Sequence, residues 1–161
     1  MRRVTSLLIT SLAAAALVAA AQPALAAPGD WDLILEQDRP VIVDQHVQDG
    51  VVLTRIFEAV VRTSSGKKAG ILVGQQESFE VDLEGRDEET RMRTLVFDLK
   101  GGQIVAQGVG VYPIGQGKFR PGKAFTIAIT GGTGEYAGAR GELVSMLKKD
   151  GTYRHKFRFV D

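Results

Sequence analysis

The residues that could do chemistry in this chain are few, and their spacing excludes several reactions. The densest cluster is Gly131-Gly132-Thr133-Gly134-Glu135-Tyr136-Ala137-Gly138-Ala139-Arg140-Gly141, a glycine-rich run of the kind that can cradle a phosphate. A phosphate cradle needs a helix N-terminus behind the loop, and a P-loop needs Gly-Lys-Ser/Thr. Neither follows here, and Gly132, Gly134 and Gly138 depart from the G-x-G-x-x-G spacing. The run reads instead as a sharp backbone turn between two strands.

The remaining chemistry is sparse. The chain has two histidines, His46 and His155, and no cysteine, so a zinc site would need carboxylates from distant strands. No metal and no cofactor is expected. No serine lies in a G-x-S-x-G elbow. The adjacent acids Asp82-Leu83-Glu84 and Asp87-Glu88-Glu89 read as solvated. In the last segment Tyr153, His155, Phe157 and Phe159 share one face at a period of two, and Arg154, Lys156, Arg158 and Val160 share the other. The aromatic face should point inward. That makes Tyr153 and Phe157 candidate ligand contacts and His155 either a candidate proton shuttle or a hydrogen-bonded core residue.

These side chains must be positioned by strands. Residues 1–26 are set aside as a signal peptide: Arg2 and Arg3 form a basic start, Leu7 to Ala21 is apolar, and Ala24-Leu25-Ala26 offers a small-x-small cleavage site. The expected product, residues 27–161, is one exported domain held by its core alone, secreted or periplasmic. Removing Arg2 and Arg3 from the 20 Lys plus Arg leaves 18 against 19 Asp plus Glu, a net charge of −1. Such a balance gives no reason to expect nucleic acid as a partner, and no later segment is long and apolar enough for membrane insertion.

Period-two patterning runs through the rest, with almost no helical periodicity. Strands are expected at 31–35, 41–47, 51–63, 69–83 (with Gly74 as a candidate break), 91–99, 103–112, 124–130, 142–148 and 152–160. The first two stretches are strand material interrupted by Asp38-Arg39-Pro40 and are counted together. Lys100-Gly101-Gly102 and Lys149-Asp150-Gly151 are hairpin turns. For 91–99, composition does not decide whether Arg93, Leu95 and Phe97 or Met92, Thr94 and Val96 face inward. Seven or eight antiparallel strands joined mainly by tight turns favour an all-β, eight-stranded up-and-down β-barrel, since closure removes both exposed edges; a β-sandwich is the alternative. An eight-stranded barrel has room for one small ligand. At its mouth, Asp32 or Glu36 could act as general acid or base if a low-dielectric cavity raised its pKa; otherwise each is a solvated charge at a strand end.

The run Gly131 to Gly141, with a strand, a short turn and a last aromatic strand after it, resembles the C-terminal signature of the allene oxide cyclase and dirigent barrel family. The hairpin from Leu95-Val96-Phe97-Asp98 through Gly101-Gly102 to Gln107-Gly108 is similar to that family's paired strands. The resemblance covers residues 94–160. It implies an eight-stranded barrel, a homo-oligomer such as a trimer, and a small apolar or aromatic ligand whose cyclisation or coupling the cavity directs. Allene oxide cyclases pair a first-strand glutamate with a nearby asparagine, and this chain has no asparagine. Glu36 is the nearest counterpart of that glutamate. Arg140 matches the arginine of the family's Ala-Arg-Gly motif, and Glu135 stands where some members carry an acid. The two either bind ligand or form a structural pair pinning the glycine loop.

Overall fold

The computed structural model describes residues 31–48, 51–78, 88–113 and 118–160. The signal peptide expected at 1–26 and the acids at 82–87 lie outside the described residues. Nine strands follow in order: β1 Leu33–Gln37, β2 Val41–Gln48, β3 Val51–Thr63, β4 Lys68–Ser78, β5 Glu88–Leu99, β6 Gly102–Pro113, β7 Ala124–Gly132, β8 Gly141–Leu147 and β9 Tyr153–Phe159.

Eight of them close on themselves. The sheet runs β1-β9-β8-β7-β6-β5-β4-β3, and β1 pairs back onto β3 through Leu35 with Thr63 and Gln37 with Val61. That closing pair makes the fold a barrel and not a sandwich. The extra strand, β2, continues along the same edge of β3, from Val41 opposite Glu58 to Gln48 opposite Val51. The break between β1 and β2 falls at Pro40, which has no N–H to give to a ladder. Asp38 holds it in place, donating its N–H to the Val60 carbonyl at 2.9 Å and accepting from Arg62 Nη2 at 2.9 Å.

Strand alternation sets the interior in layers. On β5 the inward face is Arg91, Arg93, Leu95 and Phe97, all buried, while Met92 faces out. Reading across the register, Ala59, Leu72, Phe97 and Ile104 form one layer, and Phe57, Gly74, Leu95, Ala106 and Ile129 the next toward the open end. Above them Arg55, Gln76, Arg93 and Gly108 form a polar layer. The apolar layers carry the stability, at about 1.5–3 kcal/mol for each large side chain fully removed from water. Gly74 does not break β4. It makes room for the Phe57 ring, whose Cζ lies 2.1 Å from where a Cβ would stand.

The two ends differ. The glycine-rich run closes one end, clamped on the β5–β6 turn: Glu135 N–H donates to the Gly101 carbonyl at 2.8 Å, and Thr133 N–H to the Gln103 carbonyl at 2.8 Å. Gly102, at φ +140°, passes so close that a Cβ there would lie 2.0 Å from the Thr133 oxygen. The other end, framed by Asp38–Pro40, the described part of the β6–β7 connection and the β8–β9 hairpin, is open among the described residues.

Candidate functional site

A cavity of about 740 Å³ occupies the open end. Its floor and walls are Phe57, Leu147, Tyr153 and Ile42, its polar side is Gln37, Arg55, Gln76 and Arg93, and its rim carries Arg39, Lys118, Lys149 and Asp150. The volume falls within the range of small-molecule sites, about 300–1,000 Å³. Among the described lining residues, cations outnumber acids: Asp150 is the one carboxylate, and its Oδ1 is engaged by the Thr152 hydroxyl at 2.6 Å, which with that residue's N–H holds its pKa below the ordinary value.

One wall is pinned by a buried relay. Ser145 and His155 face each other across β8 and β9, and Leu35 pairs with His155, so the next inward residue of β1, Gln37, reaches the same ring. Ser145 Oγ lies 2.8 Å from His155 Nδ1, and His155 Nε2 lies 2.8 Å from Gln37 Oε1. The hydroxyl donates to Nδ1, and Nε2–H donates to the amide oxygen. Burial, aided by the Arg93 charge, drives the His155 pKa down to about 3. The ring is therefore neutral near pH 7, and the Gln37 amide is turned with its NH2 away from His155.

Opposite stands Arg93 in a cage of aromatic rings. Its guanidinium carbon lies 4.7 Å from the Phe125 ring centre, 4.9 Å from Phe119, and 6.0 Å from both Phe57 and Tyr112. Phe119 reaches in from the β6–β7 connection and stacks between Tyr112 and Phe125, at 4.0 and 4.1 Å. Deeper toward the open end Arg91 lies over Tyr112 at 4.6 Å and is ion-paired with Glu89. Burial pushes the Arg93 and Arg55 guanidinium pKa values down and those of the Tyr112 and Tyr153 phenols up.

Of the residues singled out from sequence, Tyr153 lines the cavity and His155 stands directly behind it. Phe157 is buried in the apolar layers, edge-on to Phe97 at 4.9 Å, and does not line the cavity. Glu36 is out of phase: Leu35 and Gln37 turn inward, so Glu36 turns outward into ion pairs with Arg154 at 2.6 Å and Lys148 at 3.1 Å. Burial raises its pKa, but those two cations outweigh burial and the net shift is downward, the wrong direction for a general acid. Asp32 sits at the closed end and accepts from the Phe159 N–H at 2.7 Å. Glu135 and Arg140 are exposed at that same end; Glu135 lies over Gly101 beside a shallow recess, and Arg140 accepts from the Val160 N–H through its carbonyl at 3.0 Å. The spacing of the glycine run dictates a turn, and the turn falls at the sealed end, away from the cavity.

Sequence reasoning missed the polar layer itself. Arg55, Gln76 and Arg93 each lie on the inward phase of strands whose inward residues toward the closed end are apolar or glycine. That mismatch was visible for Arg93, next in phase to Leu95 and Phe97.

Fold and cavity together define a small closed β-barrel with a ligand-sized chamber at one end. No protein-family model matches the chain, and no curated protein matches its sequence. Solved structures do share the fold. A pyocyanin demethylase superposes with a TM-score of 0.60 at 23% identity, over 80% of this chain and 98% of that one. AbnU, an exo-specific intermolecular Diels-Alderase, superposes with a TM-score of 0.54 at 17% identity, over 78% of this chain and 90% of its own. At these identities the likeness is one of fold. No described helix is long and apolar enough to cross a membrane.

Proposed function

We propose that residues 27–161 form an exported barrel that takes one small aromatic molecule into the open-end cavity and directs its cyclisation or coupling by positioning, in the manner of the allene oxide cyclase and dirigent family. The cavity itself carries the reading: it is large enough for one ligand, walled by Phe57 and Tyr153, and polar on one side. A catalyst of this kind works by orientation and by exclusion of water, which supplies a large share of a barrier without a covalent step. Two features of the lining support that division of labour. The described lining holds no serine, cysteine or threonine, and the histidine behind it is held neutral by burial. Neighbours of the same fold are named for a demethylation and for a Diels-Alder reaction, so the barrel is a scaffold on which such reactions occur.

Export rests on the pattern of residues 1–26, and a trimer on the family resemblance. The test is native mass spectrometry of the protein purified from its own host, with N-terminal sequencing. A co-purified aromatic molecule, a chain starting at Ala27 and a three-subunit mass are expected. A chain without bound molecule, and with no rise in melting temperature across a panel of aromatic compounds, overturns the ligand reading.

A further inference from the structure

The polar layer of the cavity is built for more than an aromatic ring. Arg93 is only 4% exposed, yet its Nε and Nη1 have no hydrogen-bond partner among the described residues. A buried guanidinium with unmet donors is costly, and the rings around it attract its charge without accepting its hydrogens in the plane of the fork. Nothing described in the lining neutralises it: Arg39, Arg55, Lys118 and Lys149 carry the same sign, and Asp150 is taken up by Thr152 and by its place in the hairpin.

We propose that the cavity's ligand is an aromatic carboxylate whose carboxylate is received by Arg93, with the ring held between Phe57 and Tyr153. The proposal rests on the cavity being a small-molecule site. Three placements favour this chemistry. Arg55, Gln76 and Arg93 stand side by side across β3, β4 and β5, so the cationic group is flanked by a second cation and an amide at one level of the barrel. Across the cavity, the relay from Ser145 through His155 engages the Gln37 side-chain oxygen, so this second amide of the lining is held in one orientation. The Gln76 Oε1, buried and without a partner among the described residues, offers an acceptor for a hydroxyl on the same molecule. A planar fork and a planar carboxylate match in two hydrogen bonds, a geometry that a lysine at the rim cannot supply.

The test is calorimetric titration of the purified protein with 2-naphthoate and with 2-naphthamide, which match in shape and differ in charge. The carboxylate should bind about tenfold to a hundredfold more tightly, the difference charge-assisted hydrogen bonds make. Arg93→Lys should reduce that preference, and Lys118→Gln and Lys149→Gln should leave the preference intact. Equal affinities overturn the anion assignment and leave the aromatic-ligand reading standing. Binding of neither compound counts against both. A preference lost in the lysine variants but kept in Arg93→Lys places the anion at the rim and overturns the role of Arg93. The wild-type comparison decides the main point whether or not an Arg93 variant folds.

Discussion

His155 donates its Nε2–H to the side-chain oxygen of Gln37 at 2.8 Å, so of the two roles its sequence position allows, proton shuttle or hydrogen-bonded core residue, the structure has the ring buried and hydrogen-bonded. Its folded-state pKa of about 3 lies below the ordinary 6.5, so the unfolded chain takes up the proton first as pH falls. The stabilisation is complete above about pH 6.5 and is lost as pH falls from there toward 3, at about 1.4 kcal/mol per pH unit inside that window. Urea unfolding at several pH values between 7 and 4.5 should show this slope in the wild type and a shallower one in His155→Gln. Identical slopes would mean that the ring titrates freely in the folded protein.

The Phe57 ring lies across β4 where Gly74 has no side chain, and it forms the floor of the cavity. Gly74→Ala would force the ring upward, with an expected loss of about 1–3 kcal/mol, as overpacking in a filled core costs. Adding Phe57→Leu should restore part of that loss, because the two changes act on the same space. Strictly additive losses in the double variant would show that the ring and the glycine are not coupled.

The strands, the hairpins and the aromatic phase of β9 were legible because each depends on local alternation or on a turn residue such as Gly151, which adopts φ +84°. Closure was legible only as a class, since the pairing of Leu35 with Thr63 is a long-range contact with no local mark. The glycine run points to the end of the barrel away from the cavity, for a physical reason. Glycines announce tight backbone, and in this barrel the tight backbone seals the closed end. The cavity is marked instead by charged and amide side chains on inward phases, and for β5 the phase could not be chosen until its neighbours in the sheet were known. Glu36 shows a related limit: the strand expected at 31–35 runs on to Gln37, and that extension is what puts Glu36 on the outward phase next to Leu35.

Arg140, exposed at the closed end, should be dispensable for ligand binding. Arg140→Leu is expected to change stability by no more than about 0.5 kcal/mol, as for surface positions free of special contacts. Its carbonyl bond from Val160 survives the substitution, because it belongs to the backbone. Affinity for whatever aromatic compound the wild type binds should be unchanged. A selective loss of affinity would move the functional site to the glycine loop.

Phe119 ties the β6–β7 connection to the barrel and at the same time covers Arg93. It stacks on Tyr112 and Phe125, lies 4.9 Å from the Arg93 guanidinium, and is 3% exposed. Gly110 permits this seat, since a Cβ there would lie 2.9 Å from the Phe119 ring. Phe119→Ala should cost about 3–5 kcal/mol, the usual range for a buried phenylalanine. The loss should be smaller in an Arg93→Met background, where the cation that the ring faces is gone. Tryptic cleavage after the exposed Lys118 should also accelerate under native conditions, because the ring that anchors this segment is missing. Unchanged cleavage together with an undiminished loss in the Arg93→Met background would show that Phe119 neither holds the connection nor couples to Arg93.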